Sequence, residues 1–112
     1  MKIDERSAGD VKILDITGRI TMTQGEGVLK DRIHSIAQQG HAKILVNLAG
    51  VDYIDSTGLG ELVGAYTTVT RAGGKLKLLN ITKKMHDLLA ITKLLTVFET
   101  FDSEQDGIAS FR

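Results

Sequence analysis

The chain has 112 residues, enough for one domain with a single core and too few for two, so residues 1–112 are expected to form one domain. Fourteen basic and fourteen acidic side chains cancel, which leaves no global field to draw the protein to nucleic acid or an anionic membrane and makes a protein the expected partner. Without cysteine there are no disulfides, thiol catalysis or cysteine metal sites, and without proline or tryptophan there is neither a rigid linker nor an indole platform for bases.

No apolar run reaches transmembrane length, and the opening Met-Lys-Ile-Asp-Glu-Arg lacks the apolar core of a signal peptide, so a cytoplasmic location is expected. Residues 3–6 and 11–17 read as two short strands of a hairpin joined through Ala8-Gly9-Asp10, with Gly18 ending the second. Thr23 and Glu26 have capping-box spacing, and Leu29, Ile33, Ile36 and Ala37 recur at helical period, which predicts a helix over residues 24–39 closed by Gly40.

Residues 44–48 are almost continuously apolar, as in a central strand covered on both faces. A turn at Ala49-Gly50 and the run 51–54 lead into a second helix, whose inward face is Leu59, Leu62, Val63, Tyr66 and Val69 and which Gly73-Gly74 stops. Lys75-Leu-Lys-Leu-Leu79 is a further strand, and Thr82 caps a short helix with Met85, Leu88 and Leu89 inward. Residues 97–101 make a last strand, and Ser103 opens a closing helix with Ile108 and Phe111 inward. The alternation predicts an α/β fold: a mostly parallel sheet of four to five strands with an antiparallel edge, and about four helices. In such sheets the functional groups lie in the loops beyond the carboxyl ends of the strands.

The segment that carries chemistry is Asp55-Ser56-Thr57-Gly58, at the junction of a strand and a helix. One side-chain oxygen satisfies an orphan N–H of a first turn, so three polar residues in a row leave at least one hydroxyl facing outward. Gly58-x-Gly60-x-x-x-Gly64 invites a nucleotide reading, but there is no Gly-Lys-Ser/Thr triplet, and a dinucleotide fingerprint needs its last glycine one residue earlier. Gly60 and Gly64 read better as a groove that lets another backbone approach. A serine hydrolase would need glycine where Ile54 stands and a histidine base; His34, His41 and His86 match neither that role nor a zinc motif. A phosphoacceptor Asp55 of the receiver type would need magnesium held by an acidic pair after the first strand of the fold, and Thr17-Gly18 offers none. No catalytic residue, cofactor or metal is expected, and the chain is not read as an enzyme. What is left is a hydroxyl that is acted upon: phosphate at a helix start is favoured by the macrodipole, and its added charge beside Asp55 and Glu61 would expel a docked partner.

Asp55-Ser56-Thr57-Gly58-Leu59-Gly60, preceded by Val51-Asp52-Tyr53-Ile54 and followed by Gly73-Gly74 and the Lys-Leu-Lys-Leu-Leu strand, resembles the STAS domain of bacterial anti-sigma-factor antagonists. The resemblance implies that Ser56, or alternatively Thr57, is phosphorylated by a serine kinase that doubles as an anti-sigma factor, and that a metal-dependent phosphatase reverses it. Unphosphorylated, such a protein binds the kinase and frees the sigma factor. The expected docking face comprises Thr21, Thr23, Asp55, Ser56, Thr57, Gly58, Gly60, Glu61 and Gly64, on a monomer or weak dimer. Many members carry an acid where this chain has Thr21 in Gly18-Arg19-Ile20-Thr21, and the partner contact there is used by that acid; its loss allows a subgroup with a different partner. The alternative that the resemblance leaves open is a constitutive scaffold, or a subunit of a signalling or lipid-transport complex, without a phosphorylation switch.

Overall fold

The computed structural model describes residues 1–21 and 27–112. Its element order is β1 (Lys2–Ala8), β2 (Val11–Ile20), α1 (Val28–Gln38), β3 (Lys43–Ile54), α2 (Ser56–Arg71), β4 (Lys75–Leu79), α3 (Lys83–Ile91), β5 (Thr100–Phe101) and α4 (Glu104–Ala109). The strands form one sheet in the order β1-β2-β3-β4-β5, antiparallel between β1 and β2 and parallel elsewhere. A tight turn with Gly9 at φ +61° joins the hairpin, and the helical crossovers α1, α2 and α3 make the remaining pairings parallel.

The apolar run in β3 is central because it is covered on both faces. Ile44 and Val46 point into a large core with Leu29, Ile33, Leu62, Val69, Met85 and Leu89 from α1, α2 and α3. Leu45 points the other way, into a smaller cluster with Ile13, Leu79 and Phe111. Among the described residues the short α4 is the one helix that covers that second face, and where it stops a polar row takes over. Arg6 donates to Asp15 at 2.6 Å and also to Glu104, Asn47 donates to Asp15 at 2.8 Å, and Asn80 donates to Asn47 at 3.2 Å. Lys77 is buried on the same face, its Nζ donating to the Ser110 carbonyl and hydroxyl at 3.0 Å and lying 4.7 Å from the centre of the Phe111 ring, which ties α4 to β4.

Three expectations need correction. No turn separates residues 44–48 from 51–54: β3 is continuous to Ile54 because β2 also continues past Gly18 to Ile20 and keeps it paired. The register shifts between Asp15 and Thr17 and again between Gly18 and Arg19, each time with an extra residue on β3, so Ala49-Gly50 belongs to a bulged strand. A side chain at Gly50 would place Cβ 2.9 Å from the Ile16 carbonyl oxygen, which explains the glycine. The last strand is only Thr100–Phe101, because Phe98 turns into the core to meet Tyr66 edge-on, with ring centroids 5.1 Å apart. Helix α1 starts at Val28 rather than near residue 24, behind Gly27, whose φ of +78° is not helical; the Thr23–Glu26 capping box lies outside the described residues. The caps of Thr82 and Ser103 are present, accepting from the Met85 and Asp106 N–H groups at 3.2 and 3.3 Å.

Candidate functional site

Asp55 is the N-cap of α2. Its backbone is extended (φ −105°, ψ −176°), and its Oδ1 accepts from the Gly58 N–H at 2.8 Å. With the cap supplied by the acid, Ser56 and Thr57 are helical residues of the first turn, and neither hydroxyl is committed to a hydrogen bond among the described residues. Ser56 is exposed and Thr57 is half-buried. Of the two hydroxyls, that of Ser56 is the one offered to solvent. The orphan N–H groups and positive dipole end of a 16-residue helix lie around it, an environment that accommodates added negative charge.

The end of β2 holds this turn in place. Asp55 N–H donates to the Ile20 carbonyl at 3.4 Å, and a Cβ on Gly58 would fall 2.0 Å from that same oxygen. Gly58 is therefore required by a close approach of strand to helix, and it is buried. Thr21, next along β2, is 7% exposed; its position at the carboxyl end of the sheet agrees with its expected place beside the turn, but its side chain is largely enclosed. Thr23 lies outside the described residues.

Glu61 departs from its expected place on the docking surface. It is 9% exposed, and Oε1 accepts from the Lys30 N–H at 3.3 Å, so a carboxylate from α2 serves the start of α1, where Gly27 has no side chain to do so. Gly64 is also less open than expected: the aliphatic stem of Lys30 lies 3.4 Å from where its Cβ would be. Gly60 is exposed, and among the described residues nothing lies within 4 Å of where its Cβ would be. The structure thus brings Asp55, Ser56, Thr57 and Gly60 together at one accessible helix start, with Gly58, Glu61 and Thr21 buried. His34 and His86 are exposed on different helices, and His41 is half-buried in the loop before β3.

Sequence reasoning missed a neighbouring cleft of about 510 Å³, lined by Val51, Tyr53 and Ile54 of β3 and by Thr82, Lys83, Lys84 and Leu88 at the start of α3. The consecutive lysines behind the Thr82 cap were its one signal.

The chain is thus a five-stranded α/β domain with an Asp-Ser-Thr-Gly helix start pinned to the second strand. The chain belongs to the STAS domain family, whose model matches residues 2–107. It is 32% identical over 104 residues to the anti-sigma-B factor antagonist of Bacillus subtilis (strain 168), with 93% of each chain covered. With the anti-sigma F factor antagonist of Paenibacillus polymyxa it shares 21% identity over 108 residues, covering 96% of this chain and 92% of the relative. Among solved structures, an anti-sigma factor antagonist from Mycobacterium paratuberculosis superposes with a TM-score of 0.86 at 17% identity, over 99% of this chain and 93% of that one. The Bacillus cell fate determinant SpoIIAA in its phosphorylated form does so with a TM-score of 0.76 at 18% identity, over 99% and 100%. These likenesses show the same fold.

Proposed function

We propose that this STAS domain is an anti-sigma-factor antagonist whose docking is switched by phosphorylation of Ser56. The observation that carries the reading is the division of labour at the start of α2: Asp55 takes the cap and leaves the Ser56 hydroxyl exposed and, among the described residues, uncommitted. The similarity to two antagonists over nearly the whole chain supports the role. In the unmodified state the face around Ser56 and Gly60 binds a cytoplasmic anti-sigma factor that is also a serine kinase, and the sigma factor is released. Phosphorylation adds about two negative charges at pH 7 to that face, and the partner dissociates. A metal-dependent phosphatase restores the binding form. The protein is a substrate and ligand in this cycle, not an enzyme.

Mass spectrometry of the protein from its own cells, intact and as peptides, before and after phosphatase treatment, tests the switch. A single phosphoryl group on Ser56 whose occupancy changes between growth and stress is the expected result, with Ser56→Ala locked in the binding form and Ser56→Asp released. An unmodified chain in every condition, with binding indifferent to either substitution, would turn the assignment to a constitutive scaffold.

A further inference from the structure

We propose that the open edge of β3 beside Ser56 receives an extended, acidic segment of a protein partner as an added strand. The site arises from a mismatch in strand length. β4 ends at Leu79, which pairs with Asn47, whereas β3 runs on to Ile54. On its other edge β3 remains paired to β2 through Gly50, Val51, Tyr53 and Ile54. Beyond Asn47 the edge that faced β4 has no strand neighbour among the described residues, which leaves main-chain N–H and C=O groups there without a ladder partner on either side of the bulge at Asp52. The near end is closed, because the Asn47 side chain accepts from the Ala49 N–H at 3.1 Å and from Asn80. The open stretch is residues 50–54, about 16 Å at strand rise.

Helix α3 stands opposite, and between the two lies the 510 Å³ cleft. Val51, Ile54 and Leu88 give it apolar walls, and Tyr53 is 41% exposed at its rim. A strand added to an edge needs main-chain groups for affinity and apolar hollows for alternate side chains, and both are present here. The chemistry at the mouth selects the sign of the guest. Lys83 and Lys84 are exposed and form no ion pair among the described residues, and of the residues that line the cleft one, Asp52, is acidic. The other sheet edges are less suited: β1 carries Lys2, Asp4, Glu5 and Arg6, which guard it, and β5 has two residues. The open edge leads directly into Asp55-Ser56, so a segment laid there ends beside the acceptor hydroxyl. The inference rests on the reading that this protein acts by docking a protein partner, and it names where part of that partner sits.

The test uses the full chain labelled with nitrogen-15 and three capped hexapeptides: alternating Glu and Val, alternating Lys and Val, and the Glu/Val sequence N-methylated at alternate amides. Saturable amide shifts in residues 50–54 and at Lys83 and Lys84 are expected with the Glu/Val peptide. The Lys/Val and N-methylated peptides should bind at least about tenfold more weakly. The double variant Lys83→Glu, Lys84→Glu should lose at least about tenfold in affinity, and Asp52→Asn should gain. No saturable shift up to about 1 mM Glu/Val peptide, equal binding of the lysine peptide, or shifts confined to β1 would overturn the proposal. Because the peptides need neither kinase nor phosphate, their failure leaves the Ser56 switch standing. Loss of the switch by mass spectrometry would leave a peptide-binding edge intact.

Discussion

Gly58 in the first turn of α2 lies so close to the Ile20 carbonyl at the end of β2 that a Cβ would stand 2.0 Å from the oxygen. The contact is with backbone, which has no rotamer by which to yield. Gly58→Ala must therefore push the helix start off the strand and break the Asp55 N–H to Ile20 bond as well. We expect a loss of about 3 kcal/mol in urea unfolding, far above the small gain that alanine normally brings to a helix interior.

Asp55 and Ser56 are adjacent yet should separate cleanly in their effects. Asp55→Ala removes the acceptor of the Gly58 N–H and should cost about 1 kcal/mol, much of which Asn should restore. Ser56→Ala removes an exposed hydroxyl with no bonded partner among the described residues and should change stability by less than about 0.5 kcal/mol. Equal losses in denaturant midpoint for the two variants would mean that Ser56 shares the cap, and that its hydroxyl is mainly structural.

Glu61 fastens α2 to α1 through the Lys30 N–H at 3.3 Å. Its second oxygen, Oε2, is buried without a hydrogen-bond partner among the described residues. Glu61→Ala should uncap α1, costing about 1 kcal/mol and raising amide exchange in the first turn of α1 while α3 exchanges as before. Glu61→Gln keeps an acceptor for Lys30 and should lose less. A global rise in exchange would show that Glu61 supports the whole core instead of one helix end.

The carboxyls of Asp15 and Glu104 share the Arg6 guanidinium, and hydrogen bonding to it holds both below their ordinary values of 3.8 and 4.5. It raises the guanidinium's own value in turn. Since the two acids bind protons more tightly in the unfolded chain, their contribution is complete above the ordinary range and is lost as pH falls through the depressed folded values. Stability should therefore decline below about pH 4, and Arg6→Ala should flatten that decline, its loss of stability being present at pH 7, kept modest by the exposure of the pairs, and vanishing once both acids are protonated. An Arg6→Ala protein with an unchanged acid limb in its pH profile would contradict this assignment.

Much of the fold was legible because it depends on local patterning. The helical period at residues 59–69, the caps at Thr82 and Ser103, and the unbroken apolar run 44–48 each state a conformation that neighbours along the chain can enforce. The candidate site stood out for the same reason: three polar residues at one helix start exceed what a cap requires, and in the structure the hydroxyl of Ser56 is the exposed one.

What only the tertiary structure decided were relations between segments distant in sequence. Gly50 and Gly58 are glycines because β2 passes within contact distance of both, and the turn expected at Ala49-Gly50 became a bulged strand because β2 extends far enough to pair with it. Glu61 is indistinguishable from a surface acid in a one-dimensional pattern, and it is buried because α1 begins with a glycine N-cap that lacks an acceptor of its own. The cleft beside Ser56 exists because β3 is longer than β4, a difference in length that acquires chemical meaning once the strands lie side by side. Periodicity and capping act over a few residues, while close approach, burial of charge and unmatched strand ends are set by the packing of the whole chain.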